Sequence, residues 1–270
     1  MTSQEFEEIR TLTLNARKNI IRMATNGGCF IGASLSCVDL IAYLYSQFLN
    51  ISPKNYKQPE RDYFFLSKGH AVPALYGVLV ELGFFEKARL NNHLKTSDLI
   101  YWHPNPEIPG VEFYSGSLGH SLPIATGVAL DIKMRQQPNR VVVMTGDGEL
   151  NEGSNWEALL LAQAYKLDNL VVVVDRNVLQ ANLPTENLIP LEPLIQKFEA
   201  FGCTARRIGG HDLKSINGIF SEIPLEAGKP NVIIADTVRG KGLPGIEARA
   251  DRWFYNFDET EIDALLAEVR

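Results

Sequence analysis

The chain has 270 residues, is 45% hydrophobic and carries a net charge of −6, enough apolar content to bury a large core and no basic footprint for nucleic acid or an anionic membrane. Its three cysteines, Cys29, Cys37 and Cys203, are odd in number and widely spaced, which argues against a disulfide framework or zinc site and fits a reducing cytoplasm. No apolar run reaches membrane-spanning length, and Met1 to Arg10 is too acidic and polar for a signal peptide.

Helical periodicity predicts helices around Phe6 to Met23 and Val38 to Leu49, followed by a proline-containing loop at Ile51 to Pro59. Tyr63 to Leu66 reads as the first buried strand, Pro73 to Leu82 as a helix with proline near its first turn, and Leu118 to Met134 as another helix. Apolar runs at 141–145 and 170–174 predict two buried strands joined by a helix near Asn151 to Tyr165. Beyond them come a helix near Glu192 to Phe201, a strand near Thr204 to Ile208, a helix near Leu213 to Glu222 and a strand over Val232 to Ala235. Strands alternating with helices predict an α/β fold, a doubly wound, mostly parallel sheet with helices on both faces. There is no internal repeat and no low-complexity segment.

The two central strands carry the chemistry. Gly146-Asp147-Gly148 follows the first and Asp175-Arg176-Asn177 ends the second, so Asp147 and Asn177 meet at the strand ends where open α/β sheets place ligands. The glycines allow a sharp turn and close ligand approach, Asp147 offers an anionic oxygen and Asn177 a neutral one, and Mg²⁺ favours such donors together with substrate phosphates. The following helix would turn its positive end toward the same anion. Gly-Asp-Gly alone could equally be a mere tight turn; the second strand and Asn177 are what point to a magnesium diphosphate.

Gly146-Asp147-Gly148 followed by Asn177 resembles the thiamine diphosphate signature, and Gly146 to Gly153 resembles transketolase in particular. Arg61 to Ala71, Trp102-His103-Pro104, Gly116-Ser117-Leu118-Gly119-His120 and Gly210-His211-Asp212 resemble transketolase segments in the same order. The resemblance covers only the diphosphate-binding portion of a full-length member, and motif order favours a single such domain over 1–270, with an N-terminal helical segment over about 1–50. It implies the N-terminal subunit of a split transketolase, inactive alone, because the glutamate that activates the cofactor belongs to a pyrimidine-binding domain on a separate C-terminal subunit. By analogy two copies of each chain form a heterotetramer.

The resemblance also implies residue roles. Asp147, Asn177 and the backbone carbonyl of Leu179 would hold Mg²⁺. His70 matches a histidine that contacts the cofactor diphosphate, although a histidine just after a strand can equally cap a surface helix. Gly116-Ser117-Leu118 matches a backbone cradle around the cofactor, and Lys68, Gly146, Gly148 and Glu149 fall in the same matched blocks on the cofactor side. Glu152 matches a glutamate that supports the activating glutamate across the subunit interface, and His103 a histidine on the substrate side. Arg239-Gly240-Lys241-Gly242 lacks the spacing of a nucleotide-triphosphate loop; placed after a strand expected to end at Val238, it resembles a basic loop in which Arg239 or Lys241 neutralises the diphosphate.

Two departures stand against these matches. Phe30 occupies the place of a family histidine before Gly32-Ala33-Ser34, and Phe254 the place of a second near the C-terminus. Phenyl rings can neither titrate nor hydrogen-bond a donor's hydroxyls. The expected reaction is transfer of a two-carbon ketol unit from a ketose donor to an acceptor, with a substrate unlike the usual phosphorylated ketose. Two alternatives stand beside it: a decarboxylating acyl or ketol transferase using a 2-oxo acid in biosynthesis, and a non-catalytic regulatory or scaffolding subunit.

Overall fold

The computed structural model describes every residue except Asn26 and Arg252. Its core is a five-stranded parallel sheet of β1 (Tyr63–Leu66), β2 (Val141–Gly146), β3 (Leu170–Arg176), β6 (Thr204–Gly209) and β7 (Asn231–Asp236), in spatial order β1-β2-β3-β7-β6. A two-stranded antiparallel ribbon, β4 (Leu179–Gln180) and β5 (Leu183–Pro184), follows β3 directly. The valine runs of β2 and β3 are buried along their length, as strands covered on both faces must be.

Side chains alternate between two cores. Val142, Met144, Val171, Val173 and Ile233 face one apolar layer, whereas Val141, Val143, Val172, Val174 and Ile234 face the other. The first layer is roofed by α1 (Ser3–Met23), α2 (Ile31–Tyr43), α3 (Val72–Glu81) and α8 (Leu213–Phe220); the second by α4 (Ser121–Met134), α5 (Gly153–Ala164) and α7 (Leu194–Ala200). The expected doubly wound parallel sheet is therefore the observed one. A short α6 (Thr185–Leu188) and a final α9 (Glu259–Glu268) complete the order.

Local chemistry explains the boundaries. Thr2 and Glu5 form a reciprocal capping box that starts α1. Every residue of α2 is buried, so the helix lies inside the core with its few polar side chains bonded there. This corrects the expected start at Val38: the helix begins at Ile31, and its small residues Gly32, Ser34 and Ser36 mask the helical period. A π-helical turn at Leu44–Phe48 extends it. The strand expected to end at Val238 stops at Asp236, where Thr237 N–H still bonds the Arg176 carbonyl before the chain leaves the sheet. The helix expected from Leu118 starts at Ser121, leaving Leu118 in the preceding loop. No helix among the described residues is long and apolar enough to cross a membrane, and the three cysteines are buried and free.

Candidate diphosphate and metal site

β2 and β3 lie in parallel register with Gly146 opposite Asp175, so the turns that follow them open on the same side of the sheet. Between them is a pocket of about 220 Å³. Asp147, Asn177, Gly146, Gly148 and Leu179 line it from the strand ends, Lys68, His70 and Leu118 from the β1 side, and Arg239 from the loop after β7.

Asp147 is 2% exposed and held in one orientation. Its Oδ1 accepts the Gly148 N–H at 2.8 Å; its Oδ2 accepts Val178 N–H at 2.8 Å and Arg176 Nη1 at 2.9 Å. Burial pushes its carboxyl above the ordinary value, against the pull of Arg176. Asn177 Nδ2 donates to Asp175 Oδ2 at 3.0 Å, which fixes the amide so that Oδ1 is its free-facing acceptor, shared with Leu179 N–H at 3.1 Å. Among the described residues no three His, Cys, Asp or Glu side chains gather as a metal site. One carboxylate and one amide oxygen are too few for a caged ion, but they are the hard oxygen donors that Mg²⁺ takes when phosphate and water complete its shell.

Lys68 and Glu149 line the pocket, yet their charged ends are engaged by the protein. Lys68 Nζ pairs with Asp175 and donates to the Ala33 carbonyl at 3.0 Å. Glu149 Oε1 accepts Gly119 N–H at 2.8 Å and the Ser67 hydroxyl, and its Oε2 accepts Gly146 N–H at 3.0 Å. The carboxylate thus ties three loops together around the pocket.

Arg239 is different. It is 3% exposed, its Nη1 donates to the Ala181 carbonyl, and its Nη2 is buried without a partner. A guanidinium with an unsatisfied buried donor beside a cavity is prepared for an anion. His70 brings no second positive charge: burial, then the neighbouring Lys68, His103 and Arg239, lowers its pKa to about 3. Lys241 points elsewhere, to Glu247 at 3.0 Å.

The remaining expected residues, Gly116, Ser117, His103 and Glu152, are not part of the pocket lining. Gly116 has φ +135°, and a Cβ there would stand 2.4 Å from His103 Cδ2, so only glycine lets this segment and His103 pack together. Ser117 is exposed in a shallow hollow with Phe113 and His120 outside the pocket. Glu152 is exposed, its stem against Gly119, the glycine whose N–H holds Glu149.

Aromatic rings gather around His70 and Trp253 at the pocket's edge. The Phe30 ring lies 5.1 Å from Phe254, 4.8 Å from Trp253 and 5.6 Å from His70. The two segments are joined by a reciprocal bridge, Cys29 N–H to the Tyr255 carbonyl at 2.8 Å and back at 3.1 Å. Trp102 stacks edge-on against Phe254 and donates Nε1–H to the Gly28 carbonyl at 2.9 Å.

The family model described as "Transketolase, thiamine diphosphate binding domain" matches residues 2–268. The chain belongs to the transketolase family. It is 37% identical over 269 residues to one of the subunits of apulose-4-phosphate transketolase from Actinobacillus succinogenes, a match covering 98% of this chain and 97% of that one. To the 6-deoxy-6-sulfo-D-fructose transketolase subunit SqwG of a Clostridium species it is 34% identical over 265 residues, 96% of each chain. The crystal structure of transketolase from Campylobacter jejuni superposes with a TM-score of 0.87 at 28% identity, covering 99% of this chain but 43% of the other. The chain thus spans about two fifths of that transketolase and nearly all of the two subunits, which agrees with the expected N-terminal subunit of a split transketolase.

Sequence reasoning missed several groups that shape the transketolase site. Asp175 and Arg176 adjoin Asn177 in sequence and carried no expected role, although two charged residues at the end of an otherwise apolar strand are a signal in themselves. Gln180 and Ala181 also line the pocket, and no local pattern marks them; Trp253, the first residue of the segment that carries Phe254, closes it beside His70.

Proposed function

We propose that this chain is one diphosphate-binding domain that anchors thiamine diphosphate through Mg²⁺ and works with a C-terminal subunit carrying the pyrimidine-binding domain, two copies of each forming a cytoplasmic heterotetramer. The observation that carries the reading is Arg239 Nη2, a buried and unpartnered cationic donor beside a cavity that also presents Asp147 and Asn177. Asp147, Asn177 and the Leu179 carbonyl would hold the metal, and Arg239 would meet a diphosphate oxygen. Gly116 and Leu118 would shape the cradle, while Glu152, on the exposed edge, would reach the partner's activating glutamate. When bound, the cofactor supplies the electron sink for breaking a carbon–carbon bond next to a carbonyl. Neutral His70 would hydrogen-bond the diphosphate without adding charge, and the rings at the mouth would exclude water from the reacting atoms.

Substrate choice follows from that mouth. Phe30, Trp253 and Phe254 offer no hydrogen bond to a donor's hydroxyls, so the reading is ketol transfer from a donor less hydroxylated than xylulose 5-phosphate. The same apolar wall favours a second reading, decarboxylating transfer from a 2-oxo acid. The relatives named for apulose 4-phosphate and 6-deoxy-6-sulfo-D-fructose lend support to unusual donors in subunits of this type.

Calorimetric titration of thiamine diphosphate with Mg²⁺ into this chain mixed with its partner tests the reading, with Asp147→Ala as control. Binding that needs both chains and disappears in the variant is expected. No binding in a verified complex would reject it in favour of a scaffolding subunit.

A further inference from the structure

The Gly210-His211-Asp212 segment takes no part in lining the pocket. Val238 N–H donates to His211 Nε2 at 2.8 Å. A backbone amide can only donate, so Nε2 holds a lone pair and the ring proton sits on Nδ1, 2.8 Å from Asp39 Oδ2. The same carboxylate oxygen accepts Arg17 Nη2 at 2.6 Å, and Arg17 Nε reaches onward to the Lys241 carbonyl at 3.2 Å. Burial alone would raise the Asp39 carboxyl, but the His211 hydrogen bond and the Arg17 charge hold it below its ordinary value, so it stays anionic.

The loop from Val238 to Lys241 is therefore gripped at both ends by groups that converge on Asp39. Gly240 N–H adds a bond to the Gly32 carbonyl at 2.9 Å. Between the grips lies Arg239, whose side chain runs across Gly32 so closely that a Cβ there would stand 3.0 Å from Arg239 Nε. Its Nη1 is tied to Ala181, which leaves Nη2 as a buried donor without a partner on a residue that lines the pocket.

We propose that His211 is a positioning residue for diphosphate recognition: through Asp39 and Arg17 it locks the 238–241 loop so that Arg239 is aimed before the ligand arrives. This rests on the reading of the pocket as the diphosphate site. Fixing an arginine side chain costs much of its rotamer freedom. A locked loop bears that cost in the free protein, so it is not subtracted from binding. Opening the lock removes no contact with the ligand, yet the ligand must then order the arginine itself.

The test is a double-mutant cycle on the full chain in complex with its partner subunit, reading the Kd for thiamine diphosphate with Mg²⁺ and the melting temperature together. His211→Leu should weaken binding about tenfold, and His211→Gln, whose amide can both accept and donate, should recover part of the loss. In an Arg239→Met background the leucine substitution should change Kd less than about twofold. Equal weakening in both backgrounds overturns the positioning role and leaves His211 merely structural. If Arg239→Met does not weaken binding at all, the diphosphate reading itself fails, a distinct result. Should the leucine variant not fold, His211→Gln takes its place in the cycle, its smaller loss expected in the native background and absent in Arg239→Met.

Discussion

Lys68 and Asp175 form an ion pair beneath the pocket that water does not reach, the lysine being 1% and the aspartate 0% exposed. The pair joins the loop after β1 to the end of β3, with Ser36 of α2 donating to the same Asp175 oxygen at 2.6 Å. Breaking one side leaves an uncompensated buried charge, so Asp175→Asn should cost about 3–5 kcal/mol in denaturant unfolding. Replacing both by apolar residues of matched volume should cost much less. A single-variant loss below about 1 kcal/mol would show that the pair is not what holds these loops.

Arg239 makes an opposite forecast for stability and for binding. Its unpartnered Nη2 is a burden on the free protein, so Arg239→Met should leave the melting temperature unchanged or raise it. Binding of thiamine diphosphate should weaken about tenfold to a hundredfold, the range expected for one lost charge-assisted hydrogen bond. A variant that melts much lower and binds normally would contradict both halves.

His70 gives a pH signature. An unfolded histidine takes up its proton near pH 6.5, while the folded ring does so only near 3, because burial and the positive neighbours disfavour its charged form. Between those values the unfolded chain holds the extra proton, so stability rises with pH. The contribution is complete above pH 6.5 and is lost as the pH falls toward 3. Melting temperature measured down to about pH 4 should fall less steeply in His70→Phe than in the native protein; parallel curves would remove His70 from the account.

Phe30 and Phe254 set the expectation for substrates. Xylulose 5-phosphate should be a poor donor for the native complex, and the double substitution Phe30→His with Phe254→His should raise its kcat/KM about tenfold, the worth of one good hydrogen bond in the transition state. Ordinary transketolase turnover by the native complex would refute the role assigned to the rings.

Legibility in the sequence followed chain distance. Strands β2 and β3 were readable because uninterrupted valine runs bounded by Gly-Asp-Gly and Asp-Arg-Asn fit little besides buried parallel strands, and these runs place Asp147 and Asn177 together. The start of α2 was hidden, since a helix buried on every side shows no amphipathic period and Gly32, Ser34 and Ser36 look like loop. The final helix α9 escaped notice although Asp258 and Glu261 form a capping box, a signal available to local reading. The Lys68–Asp175 and Arg17–Asp39–His211 contacts were out of reach, because each joins residues far apart in the chain with no pattern linking them. The motif blocks gave residue identities at the pocket; only the fold revealed that the Lys68 and Glu149 charges are already engaged.

The bridge between Cys29 and Tyr255 sets Phe30 and Phe254 face to edge across two remote stretches of chain, so neither ring can change size without disturbing the other. Selection would then treat the two positions as a single heritable unit. In a library randomised at both, the survivors should be correlated pairs, large with small or polar with polar, and an evolutionary path to a new donor would cross an unfit single-substitution step before reaching a fit double one.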